Sequence, residues 1–205
     1  MEVYFVRHGQ TDGNISKRHQ VEKSELTKVG KGEARAVSTT IAKLQPTHLI
    51  SSSHIRAIQT AQIIGEELDM IPLTSPLFTE LHRPKNIYGH YHFGFKSMWY
   101  ITRWYFGLAG KDVLSDEGES YESLRQRIKG AKEYLEELPD DARVVVVSHA
   151  VFISLFIAHV CQEHRLSFWQ AIKYWTRLHS LKNAEIKHLT ANKIDHGCGW
   201  YLQND

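Results

Sequence analysis

The chain has 205 residues, enough to bury one substantial hydrophobic core, and 25 Lys and Arg nearly balance 23 Asp and Glu for a formal charge of +2. That balance gives no reason to expect a nucleic-acid or polyanion surface. With no bilayer-length apolar run and no basic, apolar leader after Met1, a cytoplasmic protein without membrane attachment is the expectation. Cys161 and Cys198 form no CxxC pair, which speaks against a disulfide scaffold or a cysteine-rich zinc module and for a reducing compartment; the 13 histidines, which change charge near neutral pH, are the more informative feature.

In chain order, "VYFV" at 3–6 is a short apolar run that reads as a buried strand, and Arg7-His8-Gly9 follows it at once. Ala34, Val37, Ile41 and Leu44 recur at helical spacing, with Thr27 as N-cap and Pro46 as the stop. "HLI" at 48–50 is a second strand, followed by Ser51-Ser52-Ser53 and Arg56, and Ala57, Ala61, Ile64 and Leu68 make a second helix. The stretch 78–118, rich in aromatics, His and Gly, has no single period and reads as a lid-like insertion over one edge of the sheet. Tyr121, Leu124, Ile128, Ala131, Leu135 and Leu138 form one apolar stripe on a charged helix that ends at Pro139. "VVVV" at 144–147, too apolar for a half-exposed strand, runs into Ser148-His149, and the C-terminal region reads as two strands around an Asn192 turn, an antiparallel edge. Strands alternating with amphipathic helices predict an α/β protein, a three-layer α/β/α sandwich with a mainly parallel central sheet, as one domain over 1–205.

In a parallel sheet the carboxyl ends of the strands share one edge, where open α/β folds place their ligands. Two histidines, His8 and His149, and two arginines, Arg7 and Arg56, therefore converge on one cleft. Paired guanidiniums suit a doubly charged oxyanion, best a phosphate, and a neutral imidazole can attack phosphorus to give a phosphohistidine that water then hydrolyses. With two arginines to neutralise the phosphoryl oxygens, neither a metal nor a cofactor is expected. The leaving alkoxide needs a proton, and Glu80, which opens the irregular insertion, is the candidate acid. Gly9 would let the backbone pass close to the bound group.

The segments "VRHGQTDGN", "SSSHIRAIQTA", "FTEL", "GESYESLRQR" and "VVVVSHAVFI", in this order, resemble the histidine phosphatase superfamily, the phosphoglycerate mutase-like family, over nearly the whole chain. The resemblance implies that His8 is the phosphoryl acceptor, Arg7 and Arg56 are phosphate ligands, His149 is the second pocket histidine and Glu80 the proton donor. It adds Asn14, Gln20 and Ala150 as phosphate- or substrate-binding positions. Val21 stands where a glycine often follows the glutamine, and "HRPKNIYGHYHFG" replaces the usual pattern after Glu80. "RHGQT" leans toward the phosphatase branch rather than the mutases.

The expected activity is thus a metal-independent, histidine acid phosphatase-type hydrolysis of phosphomonoesters. Its partner would be a small phosphorylated substrate or a phosphoprotein, and the oligomeric state is left open. The alternatives are mutase-type phosphoryl return to another hydroxyl and phospho-ligand binding without turnover. A metal site at His82, His90 and His92 fits no standard spacing. The aromatics from Trp99 to Phe106 read as the small core of a lid, and "GKG" at 30–32 lacks the context of a dinucleotide loop. The basic and aromatic mix of 82–110, Arg83 included, suggests a further negative charge or a ring on the substrate.

Overall fold

A computed structural model describes residues 1–111, 118–162, 164–167, 169–171, 174, 181–192 and 198–203. Among them, a mixed six-stranded sheet forms from β1 (Glu2–Arg7), β2 (His48–Ser52), β3 (Leu73–Ser75), β4 (Arg143–Ser148), β5 (Ile186–Ala191) and β6 (Trp200–Leu202) in the order β3-β2-β4-β1-β5-β6. The first four are mutually parallel, and β5 and β6 add an antiparallel edge. The protein is an α/β fold, as the alternation of strand and helix patterns predicts.

Burial on both faces explains the uninterrupted valines of β4. Val3, Phe5, Val144 and Val146 pack on one side with Phe78, and Tyr4, Val6, Val145 and Val147 pack on the other. The second side is covered by α2 (Lys28–Lys43) and α3 (Ile55–Leu68), which bring Ile41, Ala57, Ala61 and Ile64 to the sheet. The first is covered by α5 (Tyr121–Glu136) and α6 (Ala150–His159), through Leu124, Ile128, Phe152 and Phe156. Thr27 caps α2, its side chain accepting the Gly30 N–H at 3.0 Å, and Ser120 caps α5 by accepting the Ser123 N–H at 3.0 Å. Leu138 lies beyond the end of α5.

The sequence pattern passes over several elements. α6 is apolar on nearly every side, with Phe152, Ile153 and Phe156 buried and Val151, Leu155 and Ile157 half-buried, so it shows no polar face to reveal a helical period. β3 is only three residues long, and α1 (Asp12–Ile15) is a single turn capped by Thr11. The expected C-terminal hairpin is present as the antiparallel pair β5 and β6, with the Asn192 N–H donating to Gly199 O at 2.7 Å; the intervening 193–197 lie outside the described residues.

Register fixes where the polar groups emerge. Val3 to Val6 pair with Val144 to Val147, and Arg7 with Ser148, so His8 and His149 leave the sheet side by side. The His8 N–H donates to Ser148 O at 2.9 Å. The insertion, which includes α4 (Phe95–Tyr105), lies over the edge formed by these carboxyl ends: the His19 N–H donates to His90 O at 3.0 Å, Gly89 N–H to His19 O at 2.9 Å and His92 N–H to Lys17 O at 2.9 Å. Its last part, 112–117, lies outside the described residues.

The two cysteines are paired, with a Cα–Cα distance of 5.1 Å, tying the end of α6 to the approach to β6. This departs from the expected reducing setting, since disulfides persist mainly where the environment oxidises. No helix among the described residues is long and apolar enough to cross a membrane.

Candidate active site

A cavity of about 660 Å³ opens at the carboxyl ends of β1, β2 and β4, and Arg7, His8, Asn14, Gln20, Arg56, Glu80 and Ala150 all line it. His149 stands behind His8, with ring centroids 5.1 Å apart. The structure therefore brings together the residues that the sequence assigned to phosphoryl and substrate binding.

His8 is 3% exposed, and its Nδ1 lies 2.7 Å from Gly9 O. A carbonyl can only accept, so Nδ1 carries the proton and Nε2 keeps a free lone pair. Burial first, then the charges of Arg56 and Arg7, hold the His8 pKa well below its usual value, so the ring is neutral at neutral pH.

Close packing, rather than approach to a ligand, explains Gly9. A Cβ there would lie 2.4 Å from Gly30 O, and one on Gly30 would lie 2.1 Å from Gln10 O. The loop after β1 is thus pressed against the first turn of α2, and Gly30 of the "GKG" stretch makes that contact possible. The Gly9 N–H donates to Thr60 Oγ1 at 3.1 Å, and Asn183 Nδ2 donates to His8 O at 3.0 Å.

Arg56, the second residue of α3, is 3% exposed. Its guanidinium donates to Val21 O at 2.9 Å and reaches His54 Nδ1 at 3.1 Å, so Val21 contributes a carbonyl where the resemblance leads one to expect a glycine. A buried cation at a helix N-terminus is electrostatically unfavourable unless an anion joins it. Burial lowers the Arg56 pKa to about 10, with Glu80 opposing, and lowers that of Arg7, with Glu80, Glu33 and Glu185 opposing; both stay charged at neutral pH. Arg7 donates from Nη1 to Leu181 O.

His149 is fully buried as the N-cap of α6. Its Nε2 lies 2.7 Å from Ser52 Oγ, which accepts the His54 N–H at 3.2 Å. The Ser52 hydroxyl is therefore free to donate to Nε2, placing the ring proton on Nδ1. Burial, then the charge of Arg56, pushes the His149 pKa well below the ordinary value. His149 Nδ1, Arg7 Nε and Arg56 Nε are all buried without a hydrogen-bond partner. Unsatisfied donors of this kind are costly in a protein interior, and they cluster around a cavity that both guanidiniums line.

The Glu80 carboxylate accepts backbone N–H groups of Leu81 at 2.9 Å, Phe152 at 3.2 Å and Val151 at 3.4 Å, which fixes it between the insertion and the first turn of α6. Asn14 Oδ1 accepts the Thr11 N–H and Asn183 Nδ2, both at 3.1 Å, leaving its amide N–H groups for the cavity. Gln20 is held at the wall by the Thr11 hydroxyl at 2.6 Å.

The three insertion histidines go separate ways. His82 pairs with Glu22 at 3.6 Å, His90 Nε2 meets Lys96 Nζ at 3.2 Å, and the His92 ring lies tilted against that of His19, centroids 4.6 Å apart. Thr60, Ser52, His54 and Asn183 are positioning residues that sequence reasoning missed. Asn183 meets His8 across 175 residues, Ser52 meets His149 across 97 and Thr60 meets Gly9 across 51, so no local pattern marks them; His54 bonds Arg56 two residues on, but nothing in the sequence gives that contact a role.

Two histidines and two arginines gathered at the carboxyl end of a parallel sheet define a phosphoryl-handling α/β protein. The chain belongs to the histidine phosphatase superfamily (branch 1), whose family model matches residues 3–193. A Serratia proteamaculans protein named "Probable phosphoglycerate mutase GpmB" is 31% identical over 173 residues, covering 78% of this chain and 74% of that one. Among solved structures, a mycobacterial glucosyl-3-phosphoglycerate phosphatase complexed with VO3 superposes with a TM-score of 0.75 at 24% identity, covering 98% of this chain and 96% of that one. The α-ribazole phosphatase of Shigella flexneri gives 0.75 at 18% identity, covering 99% and 95%. These structures share the fold.

Proposed function

We propose that the protein is a phosphatase that hydrolyses phosphomonoesters through a phosphohistidine on His8, with no metal or cofactor. The observation that carries this reading is the His8 tautomer: Nδ1 is committed to Gly9 O, and a neutral Nε2 stands beside the buried Arg56 and the half-buried Arg7. In the first step the Nε2 lone pair attacks phosphorus, the P–O bond to the alcohol breaks, and protonated Glu80 gives its proton to the leaving oxygen. In the second, the Glu80 carboxylate takes a proton from water as that water attacks phosphorus, the P–N bond breaks, and inorganic phosphate leaves. Arg7, Arg56, His149 Nδ1 and the Asn14 amide hold the equatorial oxygens throughout. Gln20 and the first turn of α6 from Ala150 shape the pocket around them.

The structural likeness to proteins titled phosphatases supports hydrolysis. The relatives named phosphoglycerate mutase favour a second reading, in which the phosphoryl group on His8 returns to another hydroxyl of the bound substrate. A small phosphorylated metabolite is the proposed partner, with phosphoproteins as the second class.

The test is turnover of 4-nitrophenyl phosphate in EDTA by wild type and His8→Ala, with intact-mass detection of an acid-labile phosphoryl adduct. Turnover and an adduct in wild type, both lost on substitution with a rate drop of at least about 10³-fold, are expected. Full activity in His8→Ala would overturn the mechanism, and a wild-type adduct that forms but discharges only to an added acceptor alcohol would favour the mutase.

A further inference from the structure

The cavity extends beyond the phosphoryl group, and a third arginine stands on its wall. Arg83 is 8% exposed, and its Nε is buried without a hydrogen-bond partner. The only hydrogen bond from its guanidinium among the described residues is a long one, Nη1 to Leu81 O at 3.4 Å. No carboxylate among the described residues forms an ion pair with it. Glu80 is held by backbone N–H groups, and Glu22 faces His82.

Arg127, buried on the same side of the sheet, shows what a structural arginine looks like here. It makes a two-pronged pair with Glu119, at 2.8 and 2.7 Å, and donates to Leu77 O at 3.0 Å and Thr79 O at 2.8 Å. Breaking a buried charge away from its partners is strongly destabilising, so a buried guanidinium left this unsatisfied points to a ligand rather than to the fold. Nor does Arg83 duplicate the phosphoryl ligands, which arise from the strand ends. It belongs to the insertion and lies near enough to Arg56 to depress that group's pKa. Lys17 and Arg18 extend the positive charge along the same rim, while Met98, Ile101 and Trp104 supply an apolar wall.

We propose that Arg83 is a specificity-determining residue that binds a second anionic group, phosphate or carboxylate, on the compound whose phosphoryl group sits at His8. This rests on the proposed function only in placing the first phosphoryl group at His8. The substrate class is then a phosphomonoester with a second anion separated from the first by an organic spacer, which lies against the apolar wall.

Phosphonates test the idea without turnover, because their P–C bond does not cleave. Calorimetric Kd values would be measured for alkylphosphonates, α,ω-bisphosphonates and ω-phosphonocarboxylates, with spacers from propane to hexane, on wild type, Arg83→Gln and Arg83→Lys. At one or more spacer lengths wild type should bind a dianionic-ended ligand at least about tenfold tighter than the matched alkylphosphonate, the scale of one charge-assisted hydrogen bond. Which of the two series wins identifies phosphate or carboxylate. The preference should fall to within about threefold in Arg83→Gln and be intermediate in Arg83→Lys, which keeps the charge but loses the planar fork. A wild-type preference below about threefold at every length overturns the proposal whether or not the variants fold, and so does a preference that survives in folded Arg83→Gln. Failure to hydrolyse 4-nitrophenyl phosphate would instead overturn the phosphatase reading, and the binding result would stand independently of it.

Discussion

The two ends of the cavity are built differently. At the inner end, Arg7, His8 and His149 leave adjacent parallel strands, Arg56 stands in the first turn of α3, and each is anchored through one polar atom to main chain or to a side chain that is itself held. The outer end is walled by side chains of the insertion and its helix α4, such as Met98, Ile101 and Trp104, whose contacts are mostly apolar. Geometry at the inner end is set by sheet register, which cannot drift without breaking the core. At the outer end it is set by packing of single side chains, which can be exchanged at modest cost. The inner end is suited to one reaction on one group, the outer end to choosing what carries that group.

That contrast gives predictions of decreasing size. Arg56→Ala should reduce kcat/KM by roughly 10²- to 10³-fold on every phosphomonoester, because it removes charge from the transition state whatever the alcohol; steady-state kinetics on an aromatic and an alkyl ester would check it, and a loss confined to one ester would break the comparison. Gly30→Ala should cost about 1–3 kcal/mol of stability and about tenfold in kcat, since its Cβ would meet Gln10 O at 2.1 Å and push on the loop carrying His8. Chemical denaturation together with kcat would test whether a residue remote from substrate acts on the inner end alone.

Acid should undermine the inner end as well. Burial holds the pKa of His54 to about 3, His19 to about 2 and His159 to about 4, and that of His8 and His149 well below the usual 6.5. These rings are neutral in the fold but take up protons in the unfolded chain below about pH 6.5, so their contribution is complete above that pH and is lost progressively as pH falls to the folded values, about 4 for His159, about 3 for His54 and about 2 for His19. The loss should be about 1 to 2 kcal/mol per buried histidine between pH 7 and 5, read as a shift in denaturation midpoint. An unchanged midpoint would show that the rings titrate in the fold. Smallest of all, Ile101→Ala at the outer wall should raise KM two- to fivefold for an apolar ester with little change in kcat. An equal effect on kcat would mean that the outer wall also positions the reacting group.

Much of the inner end was legible because it is written in short runs. "VYFV" and "VVVV" are apolar enough to require burial on both faces, and the polar residues that follow each must then share an edge. Glu80 was legible as the carboxylate at the boundary between the regular fold and the insertion. The residues that hold these groups were not: Ser52 meets His149 across 97 positions, and Thr60 meets Gly9 across 51. α6 escaped because a helix buried on nearly all sides has no polar face, and the disulfide escaped because Cys161 and Cys198 are 37 residues apart with nothing local to pair them.

By itself, then, the sequence determined the α/β architecture, the edge on which chemistry would gather and the residue types it would use, since these follow from apolar runs and from what a buried strand end can tolerate. Only the tertiary structure decided the proton on His8, the tautomer of His149, the need for Gly30 and the unpartnered Nε of Arg83. Each of these depends on which atom stands within about 3 Å of another, a relation set by the packing of distant segments and carried by no single stretch of chain.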